Sequence, residues 1–358
     1  TTMRRIERDE LDVMIDLCGY AGSSRVAELL ARRRCAPVQI SYMGFPGSSG
    51  ASYVDYAVFD PIVVPYDAPE LREEYSEGII YMPHCYFVNS HRYVARDDIL
   101  NDDEVEERLA MRDKYGLPRD AFVYCCHSRP DKIDPATFRA WLRALKRVNV
   151  NANANANYSG GPAKEAEAVL WLLRSGPLME RNLRSLAHRE FGPGVESSLR
   201  FCDVSPRSEH LRRLGASDVF LDTPAYGAHT VGCDALWNGV PMISLLRPTA
   251  AAAAATAAAI STTSTTTSIT TTTRREEEDA ATTAAVPVPV NTDKLASRVG
   301  ASLLRACGIG DEMIAPAMKD YEDLMVRCAA DNEWYGGVRE KLKRGRDGYD
   351  ADGYDTGG

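Results

Sequence analysis

Two groups of polar residues in the second half of the chain have types and spacing suited to a phosphorylated ligand. The first is His229-Thr230, where a loop ends and a helix is predicted over Thr230 to Trp237, followed one turn later by Asp234. Backbone N–H groups at a helix N-terminus are unpaired and carry partial positive charge, which favours phosphate. A carboxylate one turn along can share that face and accept hydrogen bonds from ribose hydroxyls.

The second group is Arg207, His210 and Arg213, which are spaced by three residues on a short predicted helix. That spacing places the three side chains on one side of the helix, where planar cations and an imidazole suit a flat base and anionic phosphates. Together the two groups indicate a pocket for a nucleotide diphosphate. An ordinary αβα unit, in which His229 caps a helix and the arginines are solvated, explains the same spacing without a ligand.

Lys132 is a further candidate, because it precedes the amphipathic helix predicted over Pro135 to Val148. An ammonium group there is unfavourable to the helix dipole, and it could neutralise a phosphate without a metal. The nine cysteines include no C-x-x-C pair, and no His/Cys cluster has the spacing of a zinc site. We therefore predict neither a metal nor another cofactor.

The elements that must position these residues alternate between strands and helices, which is typical of an α/β protein. Two domains are predicted, at residues 1–115 and 116–345. Three low-complexity segments are predicted to be disordered, namely 149–163, 248–291 and 344–358.

Composition argues against several classes of protein. The formal net charge of −9 argues against a surface for nucleic acid or anionic membranes, and the lack of an apolar run of about 18 residues predicts no membrane span. The charged start TTMRRIERDE predicts no signal peptide. An odd number of cysteines, several of them inside apolar runs, predicts reduced thiols in the cytoplasm or the nucleus.

The stretch LDTPAYGAHTVGCDALWNGVPM, residues 221–242, resembles the nucleotide-sugar segment of the protein O-GlcNAc transferases, glycosyltransferase family 41. The preceding residues VSPRSEHLRRLGASDVFLDT continue the match, and GFPGSSG, YMPH and KIDP occur upstream in the family's order. The resemblance implies a GT-B fold, in which two Rossmann-like domains face each other across a cleft. It also implies inverting, metal-independent transfer of N-acetylglucosamine from UDP-GlcNAc to Ser or Thr hydroxyls of proteins.

The resemblance implies one catalytic residue, Lys132, which contacts the diphosphate and stabilises it as the leaving group. It implies a second set of residues that bind the nucleotide sugar: Met43, Gly44, Arg129, Ser205, Arg207, His210, Arg213, His229, Thr230 and Asp234.

Within that set, the nucleoside is recognised by five residues. The resemblance implies that His210 stacks on uracil, while Arg213 and the backbone of Ser205 read the edge of the base. It also implies that Arg207 and Asp234 hold the ribose. Arg207 stands where the family usually has lysine.

The remaining residues of the set lie at the phosphates and the sugar. The resemblance implies that the amides at His229 and Thr230 bind the diphosphate, and that Arg129 stands where an amide side chain commonly meets a phosphate oxygen. Met43 and Gly44 take the places that face the sugar.

Two family features have no counterpart, and this predicts a truncated chain whose first domain is incomplete. One is an Asn-His-Pro segment at the acceptor side, and the other is a series of 34-residue helical repeats. Other readings on the same fold stay open: a protein O-fucosyltransferase that uses GDP-fucose, a glucosyltransferase, or a non-catalytic fragment that binds a UDP-sugar.

Overall fold

The computed structural model describes residues 2–22, 25–94, 99, 105–159, 168–249, 253 and 292–351. In this part of the chain, strands and helices alternate, and the strands form two separate sheets. The strands are β1 (Val13–Asp16), β2 (Val38–Tyr42), β3 (Tyr56–Phe59), β4 (Gly78–Tyr81), β5 (Phe122–Cys126), β6 (Ala168–Leu173), β7 (Leu199–Cys202), β8 (Val219–Leu221), β9 (Met242–Leu245) and β10 (Ile314–Ala315).

The helices connect and cover these strands. They are α1 (Thr2–Arg8), α2 (Val26–Arg32), α3 (Pro69–Arg72), α4 (His91–Val94), α5 (Val105–Lys114), α6 (Pro135–Ser159), α7 (Gly176–Phe191), α8 (Pro193–Glu196), α9 (Arg207–Leu214), α10 (Thr230–Trp237), α11 (Leu295–Ala306), α12 (Gly310–Met313), α13 (Met318–Ala330) and α14 (Asn332–Ala351). Among the described residues, no helix combines the length and the apolar character needed to cross a membrane.

The first sheet has four parallel strands in chain order, β1-β2-β3-β4, and the second has six parallel strands in the order β10-β9-β8-β5-β6-β7. The side chains of β5, β6 and β8 are almost all buried, as expected for parallel strands that are covered on both faces. The two sheets lie on either side of the predicted domain boundary at 115/116. The exact boundary stays a prediction.

Two of the segments predicted to be disordered are partly helical. α6 continues past Val148 through the Asn- and Ala-rich run to Ser159. The amide of Asn149 explains part of this, because its Nδ2 donates to the Ala168 carbonyl at 3.2 Å and its Oδ1 accepts from the Ala168 N–H at 2.8 Å. These bonds fix the run to β6, and the alanines that follow favour helix.

The predicted C-terminal tail is likewise helical as far as Ala351, in α14. Leu342 on this helix is buried, and Nη1 of Arg346 donates to the Trp237 carbonyl at 3.3 Å, so packing holds the first part of the predicted tail in the helix. Residues 160–163, 250–252, 254–291 and 352–358 of the predicted disordered segments lie outside the described residues.

Two buried aspartates stand immediately after strands, one for each sheet. Asp60 follows β3, and its carboxylate accepts the N–H groups of Ile62, Val63 and Tyr86 and the hydroxyl of Ser302. Ser302 lies on α11, which also packs against β9 of the second sheet, so this bond joins the two halves of the fold.

Asp222 follows β8 and is the counterpart of Asp60 in the second sheet. Its Oδ1 accepts the N–H groups of Thr223 at 2.8 Å and Ala228 at 2.6 Å, and its Oδ2 accepts the hydroxyl of Ser244 at 2.6 Å. Gly300 of α11 packs directly on this carboxylate, because a Cβ atom at that position would lie 2.1 Å from Oδ2. Helix α11 therefore contacts both aspartates.

We predict that Gly300→Ala lowers the free energy of unfolding by about 2–3 kcal/mol, because the new methyl group must displace a buried, fully hydrogen-bonded carboxylate. Urea denaturation at neutral pH measures the change. Gly336→Ala on α14 is the matched control: its Cβ meets open space, so we expect a neutral effect or a gain of up to about 1 kcal/mol. Equal stability of the two variants would contradict the close packing on Asp222.

Candidate functional site

Hydrogen bonds from its backbone N–H groups fix both ends of the loop between β8 and α10. Asp222 holds its beginning through Thr223 and its end through Ala228, as described above. In the middle of the loop, the Gly227 N–H donates to the Ala296 carbonyl at 2.8 Å, and Ser297 Oγ donates to the Ala225 carbonyl at 3.0 Å. The N-terminus of α11 therefore supports the loop that leads into α10.

His229 is the last residue before α10, and its imidazole is held between neighbouring elements. Its Nε2 lies 3.1 Å from the Ala296 carbonyl oxygen, so this nitrogen donates and carries the proton. The ring stacks on Tyr226 at 5.1 Å between centroids and lies 5.5 Å from the ring of Phe87. Burial lowers the pKa of His229 to about 4, against the opposing effect of the Ala296 carbonyl, so the imidazole is neutral at pH 7.

Lys132 reaches the same loop from the turn before α6. Its Nζ donates to the Gly227 carbonyl at 2.9 Å and lies 4.1 Å from the centroid of the Tyr226 ring. Burial lowers the pKa of this ammonium, while the nearby Asp222 carboxylate acts in the opposite direction. The structure thus places the lysine and the start of α10 beside one loop, whose Tyr226 contacts both the ammonium and His229.

Asp234 lies one turn into α10, and three side chains surround its carboxylate. Nε2 of His91 is 2.5 Å from Oδ1, Nη2 of Arg207 is 3.4 Å from Oδ1, and Nε2 of His210 is 3.5 Å from Oδ2. Burial alone would raise the pKa of Asp234, but the interactions with His210 and His91 outweigh it and bring the pKa to about 2. The carboxylate is therefore ionised and surrounded by donors.

The side of α9 next to Asp234 carries an unusual number of unsatisfied polar atoms. Nη1 of the buried Arg213 donates to the Asp203 carbonyl at 2.7 Å, and its Nη2 lies 3.5 Å from Nδ1 of His210. Within the described residues, four buried atoms here have no hydrogen-bond partner: Nδ1 of His127, whose ring lies 5.8 Å from that of His210, Oγ of Ser205, Nε2 of His210 and Nε of Arg213. Buried polar atoms are normally paired, so this cluster indicates the place of a polar ligand.

Three of the sequence-predicted residues lie apart from these contacts. Arg129 forms two hydrogen bonds with Asp131, and its side chain is 79% exposed, so the structure does not bring it to the group around Lys132. Met43 and Gly44 have positive φ angles of 65° and 27° and belong to the loop after β2. A Cβ on Gly44 would lie 2.4 Å from the Cys18 carbonyl oxygen, so only glycine fits there.

Sequence reasoning missed three residues that shape this site. Asp222 had a usable signal, because a carboxylate directly after an apolar strand stands at the edge of a parallel sheet where ligands bind. Tyr226 lies within the family-like segment and is the only aromatic residue between Asp222 and His229. His91 had no local signal, since its contact with Asp234 spans 143 residues of sequence.

The chain is similar to known proteins over nearly its whole length. The model of the family described as glycosyl transferase family 41 matches residues 1–108 and 99–287. A protein from Arabidopsis thaliana named probable UDP-N-acetylglucosamine–peptide N-acetylglucosaminyltransferase SEC is 32% identical over 342 residues, which cover 95% of this chain and 27% of that protein. The UDP-N-acetylglucosamine–peptide N-acetylglucosaminyltransferase of Caenorhabditis elegans is 23% identical, covering 94% of this chain and 32% of its own length.

A solved structure resembles the fold. An O-GlcNAc transferase variant from Thermobaculum terrenum superposes with a TM-score of 0.65 at 20% identity, over 98% of this chain and 51% of that one. The predicted α/β class and GT-B fold are thereby confirmed. The chain spans about a quarter to a third of the length of the two relatives named above.

We predict that stability falls as the pH is lowered from 6.5 to 4, and that His229→Gln removes part of this loss. The pKa of His229 is lower in the folded protein, so in this range the unfolded chain binds the proton more readily and acid favours unfolding. The difference between the wild type and the variant should reach up to about 3 kcal/mol across the window. Urea denaturation at several pH values measures it, with the exposed His188→Gln as control. An unchanged pH slope in His229→Gln would contradict the low pKa.

Proposed function

The chain belongs to glycosyltransferase family 41, and from this premise we propose that it binds UDP-N-acetylglucosamine and transfers the sugar to Ser or Thr hydroxyls of proteins. The relatives from Arabidopsis thaliana and Caenorhabditis elegans are named for this donor and for a peptide acceptor. A glycosyltransferase needs a place for the nucleotide and a means of stabilising the leaving diphosphate. The contacts of the described residues supply candidates for both.

The observation that supports the proposal most strongly is the contact between Lys132 and the loop that leads into α10. Its ammonium lies against the Gly227 carbonyl, two residues before His229. The first N–H groups of α10 lack partners within the helix, and they point where an anion is favoured. A diphosphate placed between them meets a half-buried cation on one side and a helix N-terminus on the other.

The proposed chemical role of this arrangement is to stabilise charge as it develops. When the acceptor hydroxyl displaces UDP from the sugar carbon with inversion, negative charge accumulates on the diphosphate. Fixed donors in a partly buried site stabilise that charge without having to reorganise, which makes them more effective than water. Lys132 and the amides of Thr230 and His229 are the groups that we assign to this role. His229 is a neutral ring at pH 7, so its side chain adds no charge of its own.

The nucleoside fits the polar side of α9 and α10. We propose that His210 stacks on uracil, that Arg213 and Ser205 meet the edge of the base, and that Arg207 and Asp234 hold the ribose. The unpaired atoms of Ser205, His210 and Arg213 support this, because a nucleoside brings the donors and acceptors that these buried atoms lack. Met43 and Gly44 remain proposed for the sugar, and Arg129 for a phosphate, which would require its guanidinium to leave Asp131.

We further propose that the protein works in the cytoplasm or the nucleus, on protein acceptors rather than nucleic acids. Its nine cysteines are free thiols, and six of them are buried. Free thiols are typical of reducing compartments. The net charge of −9 is unfavourable for a nucleic-acid partner.

The proposed function is tested with Lys132→Ala on the full 358-residue chain. Calorimetry should detect UDP binding to the wild type, and transfer of radiolabelled N-acetylglucosamine to a Ser/Thr peptide should fall by roughly a hundredfold or more in the variant. Lys319→Ala, which removes an exposed lysine from α13, is the control and should leave transfer unchanged. A folded wild type that does not bind UDP would rule the proposal out, and tighter binding of GDP than of UDP would favour the fucosyltransferase reading.

We also expect that transfer does not depend on a divalent metal. Among the described residues, no group of three or more His, Cys, Asp or Glu side chains is arranged to hold a metal ion. With Lys132 and the helix N-terminus in the role that a metal often fills, dialysis against EDTA should leave the transfer rate within about twofold of its starting value. Loss of activity on EDTA treatment, with recovery on adding Mg²⁺ or Mn²⁺, would contradict this.

A further inference from the structure

His91 connects the segment that follows the first sheet to the helix that follows the second. It begins α4, and its imidazole is 1% exposed. Nε2 of His91 lies 2.5 Å from Oδ1 of Asp234, and the ring lies 6.0 Å from that of Trp237 on the same helix, α10. A residue from outside the second sheet therefore contacts the carboxylate that is proposed to hold the ribose.

Both nitrogens of the His91 ring face hydrogen-bond acceptors. On the other side of the ring, Nδ1 lies 2.8 Å from Oδ1 of Asn89, and the same oxygen accepts the backbone N–H of His91 at 3.1 Å. An amide oxygen and an ionised carboxylate only accept hydrogen bonds. Both ring nitrogens therefore lie against acceptors, and Nε2 is held on the Asp234 carboxylate. A hydrogen bond to an ionised group is among the stronger ones in proteins.

The hydrogen bond from His91 leaves the two oxygens of Asp234 in different situations. Oδ1 is taken by His91, with Arg207 a further 3.4 Å contact. Oδ2 faces His210, whose Nε2 is 3.5 Å away and is a buried nitrogen without a hydrogen-bond partner in the described part of the chain. Nδ1 of His210 faces the guanidinium of Arg213, which can only donate, so Nδ1 is the acceptor and Nε2 the donor of this ring. Oδ2 of Asp234, an acceptor, and Nε2 of His210, a donor, therefore lie side by side.

A hydroxyl group matches this pair, since it can donate to Oδ2 and accept from Nε2 at the same time. We propose that His91 is a positioning residue for the donor nucleotide: it holds Asp234 by one oxygen so that the other is presented to a ribose hydroxyl. The inference rests on the proposed function, because the ribose is that of the bound nucleotide. It adds a residue from the first half of the chain to the nucleotide site of the second half.

The test compares two ligands that differ only in the ribose. UDP and 2′,3′-dideoxyuridine 5′-diphosphate are titrated by calorimetry into the wild type, His91→Leu and His91→Gln. In His91→Leu, UDP should bind roughly tenfold more weakly, since a hydrogen bond to a charged group is lost or misplaced. The dideoxy ligand, which has no hydroxyl for Asp234, should bind the wild type and this variant with affinities within about twofold of each other. His91→Gln keeps an N–H donor near Asp234 and should recover part of the UDP affinity.

The ligand pair separates positioning from a general effect on the fold. Equal weakening of both ligands in His91→Leu, or no weakening of either, would overturn the inference. If His91→Leu does not fold, His91→Gln carries the comparison, with a severalfold loss for UDP alone as the expected result. His188→Leu, at an exposed histidine on α7, is the control and should change neither affinity. A wild type that binds neither ligand would instead remove the proposed function, and this role with it.

Discussion

The arrangement of the site depends on a buried carboxylate, Asp222, that organises a loop through main-chain hydrogen bonds. A buried charge costs several kcal/mol unless donors compensate it, and here two backbone N–H groups and the Ser244 hydroxyl do so. Even so, burial raises the pKa of this carboxyl above its ordinary value. Because its donors come from both ends of the loop, the position of His229 and the start of α10 follow from where this one side chain lies. Asp60 plays the same part after β3, and α11 contacts both residues.

The polar groups of the site come from elements that are distant in sequence, and each is oriented by a neighbour rather than by its own element. Lys132 comes from the turn before α6, Asp234 from α10 and His91 from α4. Lys132 is held by the Gly227 carbonyl, and His91 and Asp234 hold each other. Such preorganisation is what makes a charged site effective, since the donors need not be gathered when charge develops. It also explains why Asp234 stays ionised although it is buried.

The sequence predicted the local part of this arrangement and could not predict the distant part. The helix from Thr230 to Trp237 was predicted with its observed bounds, and the spacing of Arg207, His210 and Arg213 correctly placed them on one helix, because both depend on short-range periodicity. The pairing of His91 with Asp234 depends on tertiary packing, which a single sequence does not show. The helical continuation of α6 was missed for the same reason, since Asn149 is held by the distant Ala168.

The strand order of the second sheet has a consequence for how the chain acquires its structure during synthesis. β5 pairs with β6 on one side and with β8 on the other, and β8 is made some 90 residues later. While the ribosome adds the intervening residues, the β8-facing edge of β5 lacks its native partner, although Tyr124 and Cys125 will occupy the centre of the finished sheet. Strand edges of this kind are prone to wrong pairing until they are covered. The second sheet therefore cannot be completed until β8 has been made, whereas the first sheet, built from consecutive strands, can form as it emerges.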